Sequence, residues 1–343
     1  MDFTGLPPLL TTLSIRDVIY ITCDLICVPS LRSLQHYTGG YYANLPWSLL
    51  RTVAVDRIPD GTRCDMLEEV TILDVEVSIF HPMTTTNFKN IHCPKLTSVW
   101  FPNYQSGIIT DYFTHDQLNQ LTTFKGANIR LDDLTLLEHV EVLAVQCADI
   151  ITEDTPLSPH LVDLSIVSFS SVEGIPRQLT AFEFISGNDE ADVMVTSTTL
   201  KRLLIWRAAR VKVDCPQLED LGLGLISTIV ECNTPNISML SLCKSSIPFE
   251  SFPNLRQLFM EECTPYAADI VIGQHLDFVT LDHMRLGKVK FSANKGVLKS
   301  CTFTQTPKIE ARVLESGLTV ATASSVESYN VPLMSGSPTW WRS

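Results

Sequence analysis

A short apolar motif, Leu-x-x-Leu-x-Leu, recurs along this chain at a nearly constant interval, and such an interval restricts the fold to a stack of similar units. The motif is sharpest at Leu200-Lys-Arg-Leu203-Leu-Ile205, Leu218-Glu-Asp-Leu221-Gly-Leu223, Ile237-Ser-Met-Leu240-Ser-Leu242 and Leu255-Arg-Gln-Leu258-Phe-Met260. It continues at Leu276, Val279 and Leu281, then at Leu298, Cys301 and Phe303, and fades at Leu318, Ala321 and Ala323. Upstream, units start at Leu10, Leu31, Leu50, Leu67, Leu96, Leu121, Val140, Leu161 and Leu179. From Leu121 to Leu318, successive starts lie 18 to 22 residues apart. Steps of 29 and 25 residues around Leu96 place insertions within 73–120.

Alternation in a strand sends the last two apolar positions of each motif to one side. One unit cannot bury that face alone, so units stack into a continuous core, each buried Leu or Ile contributing roughly 1.5–3 kcal/mol. About sixteen rungs at roughly 4.8 Å spacing would form a body on the order of 75 Å long. A second apolar pulse with period two follows halfway round many units: Val193 and Val195, Val211 and Val213, Ile270 and Ile272, Val289 and Phe291. No 3.6-residue period fits so short a return, so the back of each unit is expected to be extended or turn-like. Proline recurs just before the motif, as in Cys93-Pro94, Ile175-Pro176, Cys215-Pro216 and Phe252-Pro253, where a fixed φ suits a corner.

These motifs resemble the leucine-rich repeat family over residues 10–323. Pro7-Pro8-Leu9-Leu10-Thr11-Thr12-Leu13-Ser14-Ile15 and Pro159-His160-Leu161 are similar to the short repeats of bacteria and protists, and Cys215-Pro216-Gln217-Leu218-Glu219-Asp220-Leu221 to the cysteine-containing class. The asparagine usual after the motif is missing, with Ala208 and Ile226 in its place, so an asparagine ladder is not expected to hold the turns. The resemblance implies a horseshoe with a parallel sheet on its concave face, few helices, and a binding surface rather than a reaction. The expected organisation is one array over 1–328, with 329–343 a tail or cap in which Trp340-Trp341 folds back as a cover. The first unit opens almost at once, so Leu6 to Ile15 would need a partner's shield or a preceding segment.

Composition narrows the function. Charged residues are only 18% and the net charge is −13, which argues against a nucleic-acid surface, since phosphate binding needs clustered Lys and Arg. No run of 18 apolar residues spans a membrane, and Asp2 stands where a secretory leader would carry a base, so a cytoplasmic setting is expected. The ten cysteines are scattered without a Cys-x-x-Cys pair. Cys64, Cys93 and Cys215 share the station three residues before a motif, which Val28 and Phe252 occupy elsewhere, so they read as core fillers and no metal or cofactor is expected. No Gly-x-x-x-x-Gly-Lys, Gly-x-Ser-x-Gly or His-Glu-x-x-His is present, and none of the eight histidines joins a catalytic pattern. The chain is therefore expected not to be an enzyme.

The outward stations lie two, four and six residues after each first Leu. Many are small, namely Ser14, Ala54, Ala144, Ser165, Gly222 and Ser241, and would form a smooth floor. Against it stand Asp163, Glu183, Arg202, Leu204, Trp206 and Asp220, with Arg202 and Asp220 placed for a cross-rung ion pair. Such a pair can be a solvated contact worth about 0–1 kcal/mol. Exposed Trp beside Arg is also what protein interfaces use. Trp100 is a second outward aromatic, and the insertion adds Phe80, Phe88, Tyr104, Tyr112 and Phe113 as candidate binding loops, with a short helix capped at Thr114. The leading expectation is a protein–protein scaffold. The alternatives are a carbohydrate-active parallel β-helix enzyme using Asp163, Glu183 and Asp220, or the recognition arm of a ubiquitin ligase or receptor with its effector module elsewhere.

Overall fold

The computed structural model describes residues 9–14, 28–37, 45–55, 57–73, 86–101, 109–128, 135–147, 155, 157–168, 171–187, 190–245, 252–262, 268–303 and 307–317. The chain divides into two compact units, Met1–Ser170 and Ser171–Ser343. Phe80, Tyr104 and the tail 329–343 lie outside the described residues.

The first unit carries β1 (Thr12–Ser14), β2 (Ser33–Tyr37), β3 (Thr52–Val55), β4 (Glu69–Ile72), β5 (Ser98–Trp100), β6 (Thr123–Asn128), β7 (Val142–Cys147) and β8 (Asp163–Ser168). Each pairs in parallel with the next. The second carries β9 (Ala181–Ser186), β10 (Asp192–Thr196), β11 (Arg202–Asp214), β12 (Asp220–Asn233), β13 (Met239–Cys243), β14 (Gln257–Glu261), β15 (Ala268–Asp282), β16 (Arg285–Lys299), β17 (Thr302–Phe303) and β18 (Lys308–Gly317). There the main ladder runs β9, β11, β12, β13, β14, β15, β16, β18, again parallel throughout. Each unit is thus a parallel β-solenoid, as the period requires. Among the described residues no helix is long and apolar enough to cross a membrane.

Register follows the apolar motif. Leu34, Val53, Val70, Val99, Phe124, Leu143 and Leu164 are successive partners in the first unit. Phe182, Leu203, Leu221, Leu240, Leu258 and Val279 are successive partners in the second, and all of these side chains are buried. The long steps around Leu96 leave this ladder intact, because Val70, Val99 and Phe124 remain neighbours. One part of the sequence register is corrected. Leu281 pairs with Leu298 and Leu276 with Ala293, so Leu298 is the second inward residue of its rung and Ala293 stands in the place of the first Leu. Ala311 and Leu314 then continue the ladder beyond Ala293 and Gly296, in a rung that starts before Leu318.

Two backbone devices repeat at every corner. The first Leu N–H closes a turn on the residue three earlier: Leu67 on Cys64, Leu96 on Cys93, Leu218 on Cys215 and Leu255 on Phe252, at 3.0–3.3 Å. Pro94, Pro216 and Pro253 fall at the second position of these turns, where φ near −65° is required. The residue after the first Leu then offers a carbonyl that accepts two N–H groups from the next rung. Arg32 O accepts from Arg51 and Thr52, Lys201 O from Glu219 and Asp220, and Ser238 O from Arg256 and Gln257.

In the second unit the chain turns a further corner. Arg207, Leu225, Lys244, Glu262, His283 and Ser300 all have φ between 47° and 62°. Beyond this bend the second apolar pulse forms its own parallel ladder: Val193 beside Val211, Val195 beside Val213, and Ile270 beside Val289. The return side is extended, as its period of two implies.

Side-chain amides do form a ladder, at a different corner from the one the missing asparagines define. Asn236 donates to Pro216 O at 2.7 Å, Asn254 to Pro235 O at 3.0 Å and Gln274 to Phe252 O at 2.9 Å. The first two satisfy a proline carbonyl at the second position of a turn, and the third adds a second donor to Phe252 O, which already closes a turn with Leu255 N–H.

Within the insertion, Phe88 and Phe113 are core rather than surface-loop residues, and Tyr112 is half-buried. A helix at His115–Gln120 (α2, after α1 at Ile109–Tyr112) is capped reciprocally by Thr114 and Gln117, as the sequence implied. Phe88 and Phe113 are buried and stacked at 4.7 Å, with Phe101 and Phe124 edge-on or tilted around them. Gln117 Nε2 donates to Phe88 O at 2.8 Å, tying the helix to this cluster.

Leu221 is fully buried at the centre of the second unit. Leu221→Asp should cost several kcal/mol and broaden urea unfolding into more than one step, because neighbouring rungs lose a shared contact. Glu219→Ala, two residues away and exposed, should leave the midpoint unchanged.

Candidate functional site

The six outward residues singled out above divide between the units. Asp163 lies on β8, half-buried and outward between inward neighbours of its own strand. The other five are in the second unit. Arg202 is opposite Asp220, Leu204 lies between Glu183 and Gly222, and Trp206 lies between Ile185 and Gly224. Leu203, Ile205, Leu221 and Leu223 take the inward positions between them.

Leu204 and Trp206 point outward as alternation demands, and they lie down across the next rung. A Cβ on Gly222 would overlap Leu204 Cδ1, and a Cβ on Gly224 would overlap the six-membered ring of Trp206. The two glycines are a bed for these side chains, and the half-buried Trp206 rests its six-membered ring against the Gly224 backbone. Leaving the Cβ off Gly224 lets the aromatic approach a strand closely.

Burial pushes the Asp220 carboxyl above its ordinary value, and the Arg202 guanidinium opposes this only in part. Glu183 faces Leu204, two residues along from Arg202.

The apolar character of this face extends beyond the residues found in sequence. Met239 on β13, Phe259 on β14 and Phe278 on β15 occupy outward stations and are half-buried. Phe259 and Phe278 are in contact, with ring centroids 5.3 Å apart. Lys295 Nζ stands 5.9 Å from the Phe278 ring and pairs with Glu315 at 2.9 Å. Leu204, Trp206, Met239, Phe259 and Phe278 thus lie on four of the five strands β11–β15, which span roughly 19 Å by strand spacing, with Asp220, Gly222 and Gly224 the outward residues of β12. Both phenylalanines could have been read from the motif, since Phe259 is four residues after Leu255 and Phe278 two after Leu276.

In the first unit Trp100 is outward and 43% exposed, between Thr71 and Lys125. The floor residues Ala54, Ala144 and Ser165 are half-buried on the same side of their strands.

Cys243 is the ladder neighbour of Gly224, in the column of Trp206, whereas the three cysteines singled out in the sequence lie away from this face. Cys64, Cys93 and Cys215 are free and buried at the turn-opening station, and burial pushes their thiols up to about 12, 11 and 12. Among the described residues no group of three metal-binding side chains comes together. No protein-family model matches the chain, and neither does any curated protein.

Gly224→Ala should therefore cost about 1–3 kcal/mol, the usual penalty of overpacking. In a Trp206→Ala background the same change should be close to neutral. Urea unfolding of the four proteins gives the coupling, and an additive cycle would contradict the stacking of Trp206 on Gly224.

Proposed function

We propose that the chain is a protein-binding repeat scaffold whose partner docks on the outward face of the main ladder in the second unit. One observation carries this reading: the large apolar side chains Leu204, Trp206, Met239, Phe259 and Phe278 stand on the outward face of four of the five strands β11–β15, a cluster of the kind that marks interaction surfaces. Trp206 and Leu204 supply the broadest apolar surface, held in place by Gly222 and Gly224. Arg202, Asp220 and Glu183 on one side and Lys295 on the other supply orientation. Preorganisation favours this row as an anchor, since an indole resting on backbone loses little freedom when a partner covers it.

Membership of the leucine-rich repeat family, with a concave horseshoe sheet, remains the reading of the motif itself and belongs to this proposal. It is supported by the 18–22-residue period and by the inward position of the second and third motif residues. The scaffold reading invokes no reaction and no cofactor, and it fits a cytoplasmic setting.

A second reading, a carbohydrate-active parallel β-helix enzyme, is favoured by the return ladder and by the raised Asp220 carboxyl. It ranks behind, because hydrolysis of a glycosidic bond uses two carboxyl groups at working distance. The ladder neighbours of Asp220 are Arg202 and Met239.

Trp206→Ala should leave the fold intact and should weaken partner binding by roughly thirtyfold, as expected for an anchor worth about 2 kcal/mol. Affinity capture from the native source, with wild type and Trp206→Ala compared by quantitative mass spectrometry, measures the effect. Partners retained equally by both proteins would remove this face as the docking surface.

A further inference from the structure

Where β15 and β16 run unbroken through the corner, polar side chains of two adjacent rungs join in one hydrogen-bonded chain. His275 is the ladder partner of Ser292, and each precedes an inward residue, Leu276 and Ala293, which are also partners. The His275 ring spans the next rung. Its Nδ1 lies 3.1 Å from Ser292 Oγ and its Nε2 3.2 Å from Asn294 Oδ1. Asn294 Nδ2 donates to Asp277 Oδ1 at 3.2 Å, back on the first rung. Ser292 and Asn294 lie 17 and 19 residues from His275, one turn of the solenoid, so no motif in the sequence shows the group.

What each group can donate or accept fixes the direction of this chain. The Asp277 carboxylate only accepts, so the Asn294 amide turns its nitrogen to Asp277 and its oxygen to His275. That oxygen also only accepts, so Nε2 carries the proton of the neutral ring and Nδ1 is left bare. Bare Nδ1 accepts from Ser292 Oγ–H, within the reach a general base needs. Serine, histidine and an orienting amide thus stand in the order of an activated nucleophile, a constellation identified by geometry and roles rather than by sequence position. Ser292 is half-buried and His275 exposed, and His275 also lines an open cleft of about 570 Å³ with Gln274 and Arg256, so a substrate has access. On its other side Ser292 pairs with Glu310, and the register that joins Ala293 to Ala311 and Lys295 to Val313 brings Arg312 opposite Asn294. Arg312 is exposed, and its guanidinium has no partner among the described residues. It stands one rung and two residues from Ser292, about 8 Å along the sheet, a span its side chain covers.

We propose that Ser292 is the nucleophile of a hydrolytic site for neutral carboxylic esters, with His275 as its general base and Arg312 as the group that stabilises the oxyanion. Asn294 and Asp277 are positioning residues that hold His275 in the required tautomer. Ser292 Oγ bonds to the ester carbonyl carbon while its proton passes to His275 Nδ1. The bond from that carbon to the alcohol oxygen then breaks, and the alcohol leaves with the proton. Water, giving a proton to the same nitrogen, attacks the acyl-serine; the acid leaves and Ser292 recovers its hydrogen from His275. Glu310 beside Ser292 disfavours an anionic ester. The proposal does not rest on the docking reading, whose Trp206 lies four strands from His275.

The test treats the full chain with a fluorophosphonate, which labels activated serines covalently, and with p-nitrophenyl butyrate as ester substrate. Peptide mapping by mass spectrometry should place the phosphonyl group on Ser292, and wild type should turn the ester over. His275→Ala should slow labelling by about a hundredfold and Asn294→Ala by about tenfold. Arg312→Ala should lower kcat/KM for the ester by about tenfold. These side chains face outward, so the unfolding temperature should not move, and Trp206→Ala should label and turn over as wild type does. An exposed histidine can hydrolyse a nitrophenyl ester unaided, so the covalent mark on Ser292 is the deciding readout. The proposal is overturned if Ser292 stays unlabelled, if His275→Ala labels as fast as wild type, or if Ser292→Ala hydrolyses the ester at the wild-type rate.

Discussion

Each rung hangs from the one before it by a single carbonyl, that of the residue after the first motif Leu, which takes two N–H groups from the next rung. Thr11, Arg32, Arg51, Glu68, Thr97, Thr122 and Glu141 serve in the first unit, and Thr180, Lys201, Glu219, Ser238 and Arg256 in the second. The side chains at this station are of every kind because only the backbone is used. This shared acceptor fixes where each strand begins, and the strand's alternation then decides which side chains enter the core. A slip of one residue would turn Leu221 and Leu223 to solvent. The turn closed three residues earlier brings the chain to that point, and its opening residue is buried whether it is Val28, Cys64, Leu137, Cys215 or Phe252. Buried Ser158 and Thr234 open the same turn, so burial rather than thiol chemistry describes what the station asks for.

The same geometry makes the outward face possible. Parallel strands in register align like stations, so a glycine on one rung becomes space for a large side chain on its neighbour. Gly222 and Gly224 receive Leu204 and Trp206 in this way. At the corner, the same alignment gives Asn236 and Asn254, each one residue before its motif, the same bond to a proline carbonyl of the rung before. Binding surfaces of a solenoid are properties of columns rather than of individual rungs.

Much of this was legible in the sequence. The motif gave the inward columns, the period-two pulse gave the extended return, and Thr114 with Gln117 gave a helix cap. Two features were hidden for physical reasons. The rung at Ala293 contains Ala and Gly296 where Leu is usual, so its apolar signal falls on Leu298 and shifts the apparent start by five residues; Val289 and Phe291, aligned with Ile270, carried the true register. The amide ladder escaped notice because its residues precede the motif, while the customary asparagine follows it. The aromatic residues of the insertion carried no mark of direction. Their burial depends on α2 folding back over Phe88, which no local pattern encodes. The apolar row beyond Trp206 was readable, since Phe259 and Phe278 sit at defined outward stations.

The central claim is that one backbone junction, repeated at each rung, organises the chain. Native-state hydrogen exchange resolved to single amides tests it most directly. The account predicts protected N–H pairs at these junctions, such as Arg51 with Thr52, Glu219 with Asp220 and Arg256 with Gln257, at 17–29-residue intervals within each unit and with faster exchange between them. Protection confined to one contiguous block, or absent from these paired amides while strand centres are protected, would contradict it.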